Sequence, residues 1–98
     1  MRCEVFWSEN ALRQLETIAQ YLAQTSAVYA ERIVDRILAR TDQLAAFPES
    51  GHSVAKAPSD DIRELLEKPY RIIYLAQRAR VDVLAVIHMS QLVVWPPE

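Results

Sequence analysis

The chain has 98 residues, the size of one domain built around a single hydrophobic core. With 51% hydrophobic and 24% charged residues, its composition is that of a globular protein and argues against a disordered or fibrous chain. Lys and Arg number 11 against 13 Asp and Glu, so the net charge is −2 and the positive excess typical of proteins that wrap nucleic acid is absent.

Several kinds of site are excluded by what the chain lacks. Cys3 is the only cysteine, and with only His52 and His88 beside it the chain has no spaced set of metal ligands. Gly51 is the only glycine, which excludes the Gly-rich loops that bind nucleotide phosphates. Glu4 stands where a signal peptide needs an apolar run, and no apolar stretch approaches the roughly 20 residues that span a bilayer. We therefore expect a cytoplasmic protein without metal, cofactor or membrane contact.

The first element is predicted to be a strand followed by a helix. Residues Arg2 to Trp7 alternate, with the apolar side chains at odd positions, which is typical of a half-buried strand. Ser8 is placed to cap a helix and Glu9 lies in its first turn, where the helix dipole favours negative charge. The apolar stripe of this helix is predicted to be Ala11, Leu12, Leu15, Ile18, Ala19 and Leu22.

A second helix follows after a short break at Thr25, with Ser26 as its predicted cap. Its predicted apolar stripe extends to the residues before Phe47 and consists of Ala30, Ile33, Val34, Ile37, Thr41, Leu44 and Ala45. Because the break is only a few residues long, the two helices are expected to form an antiparallel hairpin, with Tyr21 and Tyr29 near its tip.

The second half is predicted to be an irregular loop followed by three strands. The loop covers residues 48–61, and the strand-like runs are Ile62–Glu67, Tyr70–Gln77 and Val81–His88. The breaks between these runs are short, which requires an antiparallel meander. The fold class is therefore α+β, with the order β-α-α-β-β-β in a single domain over residues 1–98. The pattern leaves open which meander strand pairs with the first strand, and the apolar segment from Leu92 to Trp95 is expected to pack loosely on the sheet or meet a partner.

A ridge of three arginines is predicted on the second helix, because Arg32, Arg36 and Arg40 are spaced at four-residue intervals. Such a ridge could bind phosphates or an acidic peptide. Glu31, Asp35 and Asp42 flank it, however, which favours a solvated, salt-bridged face.

Four arginines lie on the predicted meander, namely Arg63, Arg71, Arg78 and Arg80, and together with His88 they are the only group that resembles an RNA-cleaving site. Such a group would supply cations for the phosphate and a base for the 2′-hydroxyl. Carboxylates in the same strands can pair with these arginines, which argues against catalysis; they are Glu64, Glu67 and Asp82. His88 and Ser90 would share a face of an extended segment, but nothing in the sequence supplies an oxyanion hole for a hydrolase. The aromatic residues Phe6, Tyr70 and Tyr74 are assigned to the core.

Several segments together resemble the RelE/ParE superfamily of bacterial toxins. They are the helix exit "LAAFPESG", the strands "IRELLEKPYRIIY" and the last strand "VDVLAVIH". The likeness covers almost the whole chain and is closer to the ParE branch. It implies a non-enzymatic toxin that inhibits DNA gyrase, does not bind nucleic acid by sequence, and is neutralised by a ParD-like antitoxin that covers the hairpin and a sheet edge.

Two alternatives stay open. The first is a ribosome-dependent endoribonuclease like those of the RelE branch, acting through Arg63, Arg71 and His88; the second is an inactive relative that only binds its antitoxin. Many relatives carry an H-x-x-R pattern after the last strand, whereas this chain has Gln91 in place of the arginine, which argues against the endoribonuclease. The candidate partner-binding residues are Arg32, Arg36, Arg40, Arg63, Arg71, Met89, Ser90, Gln91, Leu92 and Trp95.

Overall fold

The computed structural model describes residues 2–97. Within that range the chain forms, in order, β1 (Glu4–Trp7), α1 (Glu9–Ala23), α2 (Ala27–Asp42), β2 (His52–Ser53), β3 (Ile62–Glu67), β4 (Tyr70–Gln77) and β5 (Arg80–His88). The predicted α+β class and the order of its main elements are confirmed. Neither of the two helices in this range has the length and apolar content needed to cross a membrane.

The five strands form one sheet in the order β1-β5-β4-β3-β2. β3, β4 and β5 form the predicted antiparallel meander. β1 pairs in parallel with β5, from Glu4 opposite Arg80 to Trp7 opposite Val83, which answers the question that the sequence pattern left open. The two-residue strand β2 pairs with β3 inside the segment predicted to be irregular, so the sheet has one more strand than expected.

Both helices begin at the predicted caps. Ser8 Oγ accepts a hydrogen bond from the Ala11 N–H at 3.0 Å, and Ser26 Oγ accepts one from the Tyr29 N–H at 3.1 Å. The end of the second helix was predicted too late, because α2 stops at Asp42 and Gln43–Ala45 forms a 3₁₀ turn. Such tighter turns are a common way to end a helix.

One face of the sheet, here called the helix face, packs against α1 and α2. Its buried cluster consists of Ala11, Leu15, Ile33, Ile37, Leu44, Leu65, Tyr70, Ile72, Tyr74, Val81, Val83 and Val86. The odd positions of β1 pack against this cluster, as predicted. Leu12 was wrongly included in the apolar stripe of α1, since half of its surface is exposed at the outer flank of the helix.

The opposite face, here called the tail face, carries a smaller cluster of five buried residues, namely Val54, Ile62, Ile73, Ala85 and Ile87. Ala57 from the loop and Val93 and Trp95 from the C-terminal segment pack against it. The apolar segment predicted from Leu92 to Trp95 therefore packs on the sheet with alternate side chains. Leu92 remains 90% exposed.

A β-bulge in β5 fixes the position of α1. Leu84 has no partner on β4, so its neighbours are shifted by one residue in the ladder. Its carbonyl accepts hydrogen bonds from Ser8 Oγ at 3.2 Å and Asn10 Nδ2 at 3.1 Å, and the Val86 N–H donates to Gln14 Oε1 at 2.8 Å. Ser8 and the first turns of α1 thus satisfy backbone groups of β5 beyond its last pairing with β1, at Val83.

Gly51 marks a place where the chain approaches the sheet too closely for any side chain. A Cβ atom there would lie 2.6 Å from the Glu64 carbonyl oxygen and 2.6 Å from the Tyr74 hydroxyl. The Gly51 N–H donates to that hydroxyl at 2.9 Å. Burial raises the pKa of the Tyr74 hydroxyl.

Candidate functional site

Arg63 is held by the loop that precedes its own strand. Its Nη1 donates to the carbonyl of Gly51 at 3.0 Å and to that of Glu49 at 3.3 Å. Arg63 lies opposite Tyr74 in the ladder and therefore points to the helix face. Its guanidinium thus contributes to the structure of the loop.

Arg71 points to the tail face, where it forms a bidentate ion pair with Glu64. Nε and Nη2 donate to the two carboxylate oxygens at 2.9 and 3.0 Å. Nη1 donates to the carbonyl of Gln91 at 3.2 Å, which ties the C-terminal segment to the sheet. The expected pairing of a meander arginine with a carboxylate in the same strands is present here.

His88 ends β5 on the helix face, with its ring edge-on to Tyr70 at 5.9 Å between ring centroids and 86° between planes. The chain turns after His88, so Ser90 folds back onto it instead of continuing an extended segment. The Ser90 N–H lies 3.1 Å and Ser90 Oγ 2.8 Å from Nδ1. Since a backbone N–H can only donate, Nδ1 is an acceptor and the imidazole hydrogen is on Nε2.

The structure does not bring the three residues of the endoribonuclease alternative together. Arg71 lies on one face of the sheet, and Arg63 and His88 lie on the other. Arg63 is opposite Tyr74 and His88 is opposite Tyr70, positions separated along β4 by about 13 Å at about 3.3 Å per residue. A single phosphate cannot contact all three side chains in this arrangement.

The arginine ridge of α2 divides into two parts. Arg40 is half-buried and reaches β3, where its Nη2 donates to the Leu66 carbonyl at 3.4 Å and its Nε lies 3.8 Å from a Glu67 oxygen. Arg32 and Arg36 are exposed beside the acidic residues of the same helix face. Part of the predicted ridge is therefore a structural link between α2 and the sheet.

The other candidate partner-binding residues follow β5 and differ in exposure. Met89, Ser90, Gln91 and Leu92 are exposed, whereas Trp95 is half-buried against the tail-face cluster. The assignment of Phe6 to the core was wrong. Phe6 is 39% exposed on an edge strand, and the Arg80 guanidinium lies over its ring at 4.1 Å.

A groove of about 640 Å³ lies between α1 and the ends of β4 and β5. It is lined by Asn10, Arg13, Gln14, Thr17, Ile18, Tyr21, Tyr70, Val86, Ile87, His88 and Gln91. Burial raises the pKa of the Tyr70 hydroxyl, and Tyr29 and Tyr21 raise it further. The predictions from sequence included only His88 and Gln91 from this lining as candidates.

Ile18 was assigned to the apolar stripe of α1, and the other α1 residues of the groove were missed because they lie outside that stripe and looked solvated. Asn10 and Gln14 are spaced four residues apart beside that stripe, and this pair of amides was the one available signal of a contact to the sheet. Across residues 2–97, no three His, Cys, Asp or Glu side chains are grouped closely enough to hold a metal ion.

Known proteins resemble this chain over almost its entire length. Residues 5–93 match the family described as ParE toxin of type II toxin–antitoxin system, parDE. The protein Y4kP of Sinorhizobium fredii is 35% identical over 95 residues, which cover 97% of this chain and 95% of the relative. Toxin RelE2 of Caulobacter vibrioides is 31% identical over 90 residues, covering 91% of this chain and 98% of the relative.

A solved structure has the same fold. The chromosomal ParDE toxin–antitoxin system from P. aeruginosa contains a chain that superposes with a TM-score of 0.73 at 18% identity, covering 89% of this chain and 96% of that one. One of the sequence relatives carries the name RelE and the solved structure carries the name ParDE, so these matches include names from both branches of the superfamily that the sequence resembles. With a family match over residues 5–93 and two relatives above 30% identity, the chain belongs to the ParE toxin family and is a toxin of a type II toxin–antitoxin system.

Proposed function

We propose that this toxin acts in the cytoplasm by binding and inhibiting DNA gyrase, without catalysing a reaction, and that a ParD-like antitoxin neutralises it. Membership of the ParE family supports the choice of target. The observation that carries the non-catalytic part is the position of Arg63 and Arg71 on opposite faces of the sheet, each already bonded to the protein itself.

The bonding of these arginines matters because RNA cleavage needs positioned groups around one phosphate. A general base must come within hydrogen-bond reach of the proton that it removes, and cations must lie where negative charge develops. Arg71 is neutralised by Glu64, and Gln91 supplies no charge next to His88. A binding protein has no such requirement, because affinity can come from apolar and aromatic anchors with arginines at the rim.

The experiment that tests the proposal is a supercoiling assay with purified DNA gyrase and relaxed plasmid. The toxin is expected to reduce supercoiling in proportion to its concentration, and premixing it with the co-purified antitoxin is expected to restore activity. In cells, induction should cause filamentation with a DNA-damage response. Full gyrase activity at toxin concentrations that stop growth would contradict the proposed target.

A ribosome-dependent endoribonuclease remains the second candidate. The relative named Toxin RelE2 and the presence of an exposed imidazole, that of His88, at the groove favour it. Primer extension on messenger RNA from induced cells distinguishes the two candidates, with Arg71→Ala and His88→Ala as variants. We expect no cleavage beyond the background of uninduced cells. Codon-phased cuts that vanish in either variant would establish the endoribonuclease instead.

A further inference from the structure

The groove beside α1 differs in charge from the rest of the molecule. The chain carries 13 acidic residues and a net charge of −2, yet none of the residues of the 2–97 range that line this groove is acidic. Arg13 and His88 lie on its wall, and Ile18, Tyr70 and Val86 add apolar surface. The groove therefore combines an apolar surface with one positive charge, that of Arg13.

The oxygens of two amide side chains in the groove are already occupied. Gln14 Oε1 accepts from the Val86 N–H, and Gln91 Oε1 accepts from the His88 N–H, each at 2.8 Å. Because a backbone N–H only donates, both amides must turn their oxygens towards the protein, which leaves their NH₂ groups for a ligand. His88 Nδ1 accepts from Ser90, so the hydrogen of this ring is on Nε2.

With the side chains in these orientations, the groove has hydrogen-bond donors that are available to a ligand. The two amide NH₂ groups, the imidazole N–H and the Arg13 guanidinium have no acceptor in the part of the chain that the structure describes. Such a set favours a ligand rich in acceptors and negatively charged, since hydrogen bonds between charged groups are about twice as strong as neutral ones.

We propose that this groove binds a peptide segment of a protein partner in which a large apolar side chain lies next to a carboxylate. The apolar surface takes the side chain, and Arg13, Gln91 and the His88 Nε2–H take the carboxylate. A volume of about 640 Å³ is in the usual range for such sites, about 300–1,000 Å³. A nucleic acid fits less well, because a single arginine lines the groove and its apolar surface would face a phosphate backbone.

The test is an NMR titration of the ¹⁵N-labelled protein with two synthetic peptides, acetyl-Leu-Glu-Leu-Glu-amide and its counterpart with Gln in place of Glu. We expect the acidic peptide to bind about tenfold more tightly, because its carboxylates replace neutral acceptors. The shifted backbone amides should be those of Gln14, Tyr70, His88 and Gln91. Arg13→Gln should remove most of this difference, whereas Arg78→Gln in the exposed turn between β4 and β5 should leave it unchanged.

Three outcomes would overturn the proposal: equal binding of both peptides, amide shifts confined to surfaces outside the groove, or tighter binding of a short oligouridylate to the same amides. Arg13 is exposed on α1, so its replacement is not expected to prevent folding. The inference does not depend on the gyrase target. A negative supercoiling assay would leave the peptide titration unaffected, and a negative titration would leave the gyrase assay unaffected.

Discussion

The two faces of the sheet are covered by different kinds of structure. Within residues 2–97, the helix-face cluster contains twelve buried residues, contributed by the sheet, the 3₁₀ turn and two capped helices whose backbone hydrogen bonds are satisfied within each helix. In the same range the tail-face cluster contains five buried residues, four from the sheet and Val54 from the loop, and it is covered by that loop and the segment around Val93 and Trp95. Arg71 provides one hydrogen bond that ties this segment to the sheet, through the carbonyl of Gln91.

This difference indicates where the molecule is rigid and where it can open. Segments with few buried apolar contacts and many exposed backbone groups open at a lower free energy than helices packed on a core. The helix face therefore sets the global stability, and the tail face can change locally without unfolding the domain. The four predictions below test this division.

The largest effect is expected from Ile37→Ala on the helix face. Ile37 is fully buried, so the substitution leaves a cavity and should lower the free energy of unfolding by about 2–5 kcal/mol. Urea denaturation followed by circular dichroism measures the change, with Leu92→Ala as the exposed control. A loss below about 1 kcal/mol would show that this side chain is not packed as described.

Gly51→Ala is expected to have the next largest effect. The new Cβ would meet the Glu64 backbone and the Tyr74 hydroxyl at 2.6 Å, and displacing them should cost about 1–3 kcal/mol of unfolding free energy. The exposed neighbour Ser53→Ala serves as the control in the same denaturation experiment. Unchanged stability would mean that the loop does not approach the sheet this closely.

Trp95→Ala should affect the tail face and leave the helix face intact. Because Trp95 is only half-buried, we expect a loss of about 1 kcal/mol in the free energy of unfolding. Hydrogen exchange should speed up in residues 91–95 while α1 and α2 keep their protection, with exposed Val94→Ala as the control. A uniform rise in exchange across the domain would contradict the division between the two faces.

The smallest effect, and a stabilising one, is expected from Lys56→Gly in the loop that covers the tail face. Lys56 has a φ of 63°, a left-handed conformation that costs a non-glycine residue about 1–2 kcal/mol. Glycine adopts it without strain but loses more entropy on folding, so the net gain should be about 0.5 kcal/mol. Lys56→Ala removes the charge and keeps the strain, and should show no gain. Equal melting temperatures for the two variants would contradict the explanation.

Local features of the fold could be predicted from sequence. Ser8 and Ser26 identify the starts of the two helices, because each hydroxyl accepts a hydrogen bond from a backbone N–H three residues later. This contact does not depend on distant parts of the chain. The alternation of residues between the two faces of a strand predicts the bounds of β3 and β4, because this two-residue period depends only on neighbouring residues. The short connections between β3, β4 and β5 predict the meander, because the length of a connection is also a local feature.

Features that depend on distant parts of the chain could not be predicted. The parallel pairing of β1 with β5 leaves no mark on the alternation of either strand, and the bulge at Leu84 depends on partners in α1. Phe6 was misassigned because exposure at a sheet edge depends on strand order, which the pattern does not contain. The groove could not be predicted either, because it brings together side chains from opposite ends of the sequence that share no common motif.

The pairing of β1 with β5 also constrains how the chain folds. Glu4 meets Arg80, so the N-terminal strand has to close a loop of more than seventy residues before it gains its hydrogen bonds. Contacts between such distant residues slow folding, because the entropy of closure is lost before any contact is made. A nascent or truncated chain without β5 lacks both the partner of β1 and three residues of the helix-face cluster, Val81, Val83 and Val86. The domain can therefore assemble completely only after synthesis has passed the last strand, and shorter translation products are expected to be unfolded and non-toxic.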